Sequence, residues 1–155
     1  MSAHGDVETV ERVIDAPASE IFALLADPSR HREIDGSGLL RGPKESSQVL
    51  TLGSTFGMSM KMGVPYSMVN EVVEFEPDRR IAWQTRPSLA PLGLLIGGRI
   101  WRYELEPVDG GRTRVRESWD ISGERVKAIV RPLRRQTRTA MEATLARIDE
   151  VLAAP

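Results

Sequence analysis

The sequence predicts an α+β fold in which a curved antiparallel sheet wraps around one long C-terminal helix, with two short helices near the N-terminus. Three observations lead there. From Gly38 to Ile121, strand-like runs alternate with turn signals in the manner of a meander. From Val126 to Leu152, apolar residues recur at steps of three and four, the mark of one helix face. Ahead of both, Val7 to Gly38 reads as a strand, an amphipathic helix and a polar turn. A small meander with a single long helix has one economical packing: the sheet curls, and its concave face covers the helix stripe.

Each element has its own justification. Val7, Thr9 or Val10, and Val13–Ile14 give a β-rich opening strand, which Ala16-Pro17-Ala18-Ser19 stops. Pro17 suits a first helical turn, where its missing N–H is no loss. Ile21, Phe22, Leu24 and Leu25 follow at helical spacing and end at Asp27-Pro28. A second short helix runs from Pro28 to Arg32 or Ile34, before the turn Asp35-Gly36-Ser37-Gly38. The strand runs are Gly38–Arg41, Ser54–Met62, Tyr66–Phe75, Arg80–Arg86, Arg99–Glu106 and Thr113–Ile121, with hairpin turns at Pro77-Asp78 and Asp109-Gly110-Gly111. The helical stripe comprises Val126, Ile129, Val130, Leu133, Thr137, Ala140, Met141, Thr144, Leu145, Ile148 and Leu152. Pro132 falls inside it and predicts a kink or break, because proline removes one backbone hydrogen bond.

The bulk numbers fit this reading. A chain of 155 residues makes one domain, 1–155, and buries roughly 70% of its unfolded surface. With 41% hydrophobic and 28% charged residues it is ordinary for a globular protein, and a net charge of −1 supplies no field to attract nucleic acid. Zero cysteines exclude disulfides, thiolate catalysis and cysteine-ligated metals, and suit a reducing compartment. The opening MSAHGDVE has neither a basic start nor an apolar core, and no apolar run approaches the roughly 20 residues of a membrane span. The expectation is a cytoplasmic protein with no integral membrane segment.

The N-terminal string VETVERVID, APASEIFALLAD, PSRHREIDGSG resembles the opening of the SRPBCC or START-like superfamily, in its polyketide cyclase/dehydrase-type branch. Val72 to Pro87 (VVEFEPDRRIAWQTRP) is similar to the central hairpin of that group, and Trp101 to Glu124 (WRYELEPVDGGRTRVRESWDISGE) to its closing hairpin and helix entry. The resemblance covers nearly the whole chain. It implies the helix-grip fold shared with START and pollen-allergen-like proteins, and a cavity between sheet and helix. The superfamily includes cyclases, lipid carriers, hormone receptors and chaperone activators, so it implies a kind of ligand rather than a reaction. One departure is Ile34, at a position where an aromatic is usual.

Alternation along the strands names the residues that would line such a cavity. Met58, Met60 and Met62 share a strand face, and Met68 joins them from the next strand. Thioethers adapt to irregular apolar shapes; gap-filling core is the plainer reading. Ile81, Trp83 and Thr85 share a face, as do Trp101, Tyr103 and Leu105, and Val115, Glu117, Trp119 and Ile121. From the helix, Val130, Leu133 and Met141 would close the space. Glu117 is the informative member, an acid in an apolar row: it must be paired, hydrogen-bonded or shifted toward its neutral form. It reads as a polar anchor or general base, or as the partner of a structural arginine.

Two further segments stand out. Arg86 to Arg99 is punctuated by proline and glycine yet carries Leu89, Leu92, Leu94, Leu95 and Ile96, which fits a flap over the cavity mouth. A homodimer contact and plain core packing are the alternatives. Arg125, Lys127, Arg131, Arg134, Arg135 and Arg138 read as a solvated face opposite the apolar stripe, with an acidic ligand head group as the functional alternative.

Chemistry is sparse. His4 lies near the terminus, and His31 sits four residues before Asp35 near the mouth, a spacing that permits a pair if the helix continues. No histidine–carboxylate spacing suggests a metal, and no phosphate-loop, Rossmann or serine-hydrolase motif is present, so neither cofactor nor metal is expected. Glu117 with Tyr103 is the candidate acid–base pair, with Tyr66, Arg102 and Arg116 as further donors. The leading expectation is binding or transport of a hydrophobic small molecule, lipid or polyketide-like. The alternative is a polyketide cyclase or dehydratase.

Overall fold

The computed structural model describes residues 5–36, 40–43, 49–62, 64–87 and 97–153. The chain opens with β1 (Val7–Ile14) and α1 (Ala18–Leu25), then a 3₁₀ turn (Pro28–Arg30) and the one-turn α2 (His31–Ile34). Six strands follow: β2 (Leu40–Pro43), β3 (Thr55–Met62), β4 (Val64–Glu76), β5 (Arg80–Pro87), β6 (Arg99–Pro107) and β7 (Thr113–Asp120). A short α3 (Lys127–Val130), a 3₁₀ turn (Arg131–Leu133) and α4 (Arg134–Ala153) end the chain. Pro132 sits in that second 3₁₀ turn, so the break it predicts is present.

The seven strands form one antiparallel sheet in the order β1-β7-β6-β5-β4-β3-β2, a meander whose first strand returns to pair with the last. β4 carries a bulge: Val72 pairs with Trp83 but Glu74 with Ala82. An extra residue on one strand sharpens the local bend, and in a 13-residue strand this helps the sheet curl. The concave face packs on α1 and α4. Ile14, Ile21, Leu24, Leu25, Ile81, Val115, Met141, Leu145 and Ile148 are all at most 1% exposed.

Two devices hold α4 against the sheet. β1 is an edge strand, and its outward carbonyls are taken up by arginines of the helix. Arg134 donates to the carbonyl oxygens of Gly5 and Val7, and Arg138 to that of Thr9. Both guanidinium groups also hold the Glu8 carboxylate. Burial pushes the Glu8 pKa up, but the bonds from Arg138 and Arg134 outweigh it and leave the group below the ordinary carboxylate value. Lys127 and Arg131 hold Asp6 in the same manner. All four are therefore ion-paired to the start of the chain, and Arg134 and Arg138 also cover a sheet edge.

The second device is a close approach. Gly36 N donates to Thr144 Oγ1 at 2.9 Å. A Cβ on Gly36 would stand 2.3 Å from the Ala140 carbonyl oxygen and 2.5 Å from Thr144 N, both backbone atoms of α4. Only glycine lets the turn after α2 lie on the helix so closely.

The apolar stripe is continuous only within α4. Met141, Thr144, Leu145 and Ile148 are buried there and Val130 in α3, but Ile129 and Leu133 are 42% and 40% exposed. The 3₁₀ turn at Pro132 offsets the two helices, so one helical period drawn across the break does not stay on one face.

Gly36→Ala is expected to destabilise the fold by about 1 to 3 kcal/mol through overpacking against α4, read as a lower denaturation midpoint at unchanged slope. A variant as stable as the parent would show that the helix shifts freely at this contact.

Candidate functional site

The inward rows of β5, β6 and β7 lie side by side because of their register. Trp83 pairs with Trp101, and Trp101 with Trp119; Ile81 pairs with Tyr103, and Tyr103 with Glu117. All are buried except Trp101, which is partly buried against the same core. Tyr103 Oη donates to Glu117 Oε2 at 2.9 Å. Glu117 is 2% exposed, and its other oxygen, Oε1, has no hydrogen-bond partner among the described residues. Among the described residues its partner is the phenol and not the arginine considered for it.

Burial is the main cause that raises the Glu117 pKa to about 8; the Tyr103 bond lowers it and the charge of Asp35 raises it again. Burial likewise pushes the Tyr103 phenol well up, helped by the charge and bond of Glu117 and then by Asp35. At neutral pH the pair is therefore a protonated acid and a neutral phenol. That bond occupies Oε2, and Oε1 meets no hydrogen-bond partner among the described residues.

An aromatic group adjoins this pair. The His31 ring stacks on Trp83 at 5.2 Å, Phe56 meets both edge-on at 5.7 and 5.5 Å, and Trp83 leans on Tyr103 at 5.7 Å. His31 thus departs from the expected place at the mouth. It is 6% exposed, and its Nε2 lies 2.7 Å from the Leu25 carbonyl, which can only accept, so Nε2 carries the hydrogen. Burial lowers its pKa, against the opposing Leu25 bond and Asp27 charge, and keeps the ring neutral. The helix does not continue through Asp35, which is extended with ψ 107°, so the four-residue helical spacing proposed for His31 and Asp35 is not realised. Ile34 is core at 4% exposure.

The remaining candidates divide. Met68, Val130 and Met141 are buried on the inner side. Leu133 is half-exposed and stands apart from them, for the reason given above. Met58, Met60 and Met62 stand on β3 opposite Met68, Tyr66 and Val64 in register, but their side chains, like that of Tyr66, lie outside the described residues. So do Leu89, Leu92, Leu94, Leu95 and Ile96 of the expected flap, and His4. Arg102 and Arg116 alternate with the inward row and point away from it, onto Glu74 and Asp120, and onto Glu11.

Sequence reasoning missed Phe56 and Glu124 and misplaced His31 and Asp35. His31 and Phe56 build the aromatic group, and Asp35 acts on Glu117. Glu124, 4% exposed, accepts the backbone N–H groups of Gly97 and Arg99 at 2.9 Å each and fixes the start of β6. A usable signal existed for His31, which lies three residues before the apolar Ile34 and shares its helix face.

A cleft of about 450 Å³ opens on the convex side, lined by Arg79, Arg80, Glu104, Glu106, Arg114 and Arg116 among others. It is open to solvent, and Arg80, Arg114 and Arg116 already pair with glutamates. An apolar ligand would gain little there. Among the described residues, no group of three or more His, Asp or Glu could hold a metal ion, and no helix is long and apolar enough to cross a membrane.

This architecture is the helix-grip fold: a curved antiparallel sheet closed by a long C-terminal helix. The chain belongs to the family described as polyketide cyclase / dehydrase and lipid transport, which matches residues 7–153. It is 40% identical over 108 residues to the uncharacterized protein Rv0088 of Mycobacterium tuberculosis, a match covering 69% of this chain and 44% of that relative. The match therefore spans less than half the length of that curated relative. Among solved structures, a protein from Arthrobacter aurescens superposes with a TM-score of 0.78 at 17% identity, covering 100% of this chain and 90% of that one. Protein Ms6760 from Mycobacterium smegmatis gives 0.72 at 15% identity, with 98% and 94% covered. At such identities these two establish the fold alone.

The Glu117 proton predicts a pH dependence of stability. Unfolded, the acid loses its proton near 4.5; folded, it keeps it to about 8. Between those values the unfolded chain binds fewer protons, so stability falls as pH rises and levels off above about 8. His31 acts in the opposite sense at lower pH, so the comparison is with Glu117→Gln. The variant is expected to gain on the parent by roughly a few kcal/mol between pH 5 and 8, measured by denaturant titration across that range. A constant difference would mean that Glu117 is ionised in the fold.

Proposed function

We propose that this protein binds or transports a hydrophobic small molecule, lipid or polyketide-like, between the concave face of the sheet and α4. The observation that carries this reading is Glu117 Oε1, a polar atom in an apolar and aromatic interior with no partner of its own. Leaving a buried polar group unpaired costs about 1 to 3 kcal/mol, and a fold that keeps one has a use for it. Around it the aromatic rings of Trp83, Phe56, Tyr103 and His31 offer flat apolar surface. The methionine-bearing strand β3 continues from the same sheet. Family membership supports the same class of ligand.

A second reading has its own observation. An acid that titrates near 8, bonded to a tyrosine, is suited to exchange a proton at physiological pH, as cyclisation or dehydration of a poly-β-keto substrate demands. In that reading Glu117 is the acid–base group and Tyr103 its partner. Glu117→Gln separates the two: it ends turnover of such a substrate in the enzyme, and only retunes affinity in the carrier.

Binding is tested with a neutral apolar fluorophore whose absorption overlaps tryptophan emission. Trp83, Trp101 and Trp119 all belong to or adjoin the core, so a dye in the interior is expected to quench them by energy transfer at one equivalent per chain. Native mass spectrometry should find apolar mass retained on the purified protein. No quenching and no retained mass would overturn the reading.

A further inference from the structure

The stretch from α3 to the start of α4 has an outward face that the core does not use. Val130 is its inward residue, 1% exposed and packed with the core. Ala128, Ile129, Pro132 and Leu133 are all exposed. Two large aliphatics four residues apart, with a proline between them, make a small apolar ridge. Its surroundings are basic. From Arg125 to Met141 the chain carries six cations and no carboxylate. The acids that reach them come from outside this stretch: Asp6 holds Lys127 and Arg131, Glu8 holds Arg134 and Arg138, and Glu142 also meets Arg138. Six cations against three carboxylates leave three positive charges here, on a chain of net charge −1. Arg125 and Arg135 are exposed and pair with no carboxylate among the described residues. They flank the ridge, one before Ile129 and the other after Leu133.

We propose that this ridge docks the protein on an anionic lipid surface. Ile129, Pro132 and Leu133 enter the boundary between head groups and acyl chains, and Arg125 and Arg135 meet the lipid phosphates. Charge complementarity selects the sign of the partner: anionic head groups attract the uncompensated arginines, and each such contact strengthens adsorption about fivefold. The aliphatics select its kind. They gain by leaving water where hydrocarbon lies behind the charge, as it does at a bilayer and does not along a nucleic acid backbone. Arginine stems can lie along that boundary while their heads reach phosphate. Among the described residues no helix is long and apolar enough to span, so the contact is one of adsorption. Docking by this ridge needs no ligand in the interior, and it stands or falls apart from the binding reading above.

Flotation of the purified protein with lipid vesicles is the test. Vesicles of phosphatidylcholine with about a third phosphatidylglycerol are expected to carry the protein, and pure phosphatidylcholine vesicles to bind it at least roughly tenfold more weakly. Arg125→Gln combined with Arg135→Gln is expected to weaken binding to the mixed vesicles about thirtyfold, the product of two such contacts. Ile129→Ser combined with Leu133→Ser is expected to weaken it roughly tenfold and to leave the remainder fully sensitive to salt, because the apolar share is not screened. All four positions are exposed, so both variants are expected to keep the parent's denaturation midpoint. Equal binding of the parent to both kinds of vesicle, or binding to neither, would overturn the proposal. Loss on removing the arginines with none on removing the aliphatics would overturn it too, as would tighter binding to duplex DNA than to the mixed vesicles, which would assign the ridge to nucleic acid.

Discussion

A sheet with one apolar face has to cover that face, and in this protein the cover is chiefly a single helix. Everything at the site follows from how α4 is held. Its arginines close the free edge of β1 by taking up carbonyl oxygens that would otherwise face solvent, and they clamp Glu8 in doing so. At the other flank Gly36 lets the chain after α2 lie directly on the helix backbone. The interior between these two fixed lines is where the polar exceptions matter, since water cannot easily reach them.

The main exception is Glu117. Its neighbours in the row, Val115, Trp119 and Ile121, are apolar, and its neighbour across the strands is Tyr103. Such surroundings oppose ionisation, and the one hydrogen bond supplied by the protein leaves half the carboxyl unsatisfied. Evolution commonly fills a core position of this kind with an aliphatic residue, at lower cost in stability. Keeping an acid there sacrifices some stability in exchange for a group that can recognise a ligand or move a proton.

Much of this was legible in the sequence, and the rest was not for identifiable reasons. Period-two alternation places Trp83, Tyr103, Glu117 and Trp119 on one face, and that placement holds because each strand is regular and half-buried. The helical stripe held within α4 but failed at Ile129 and Leu133, where Pro132 interrupts the period. The Tyr103–Glu117 bond was within reach once both were read as inward-facing, since β6 and β7 form a hairpin. The approach of Asp35 to Glu117, and of Glu124 to Gly97 and Arg99, depends on the closure of the whole fold and leaves no local pattern. His31 was misplaced because α2 is one turn long, so its spacing to Ile34 is the whole of the signal and no longer period reinforces it.

The account stands on the protonation state of Glu117. Infrared difference spectroscopy of the intact protein, with Glu117→Gln as the subtraction, reads that state through the carboxyl stretching band. The band of a neutral carboxylic acid is expected at pH 7, giving way to that of a carboxylate near pH 8. A carboxylate band already complete at pH 6 would contradict the account, because burial among apolar and aromatic groups would then not be holding Glu117 in its neutral form.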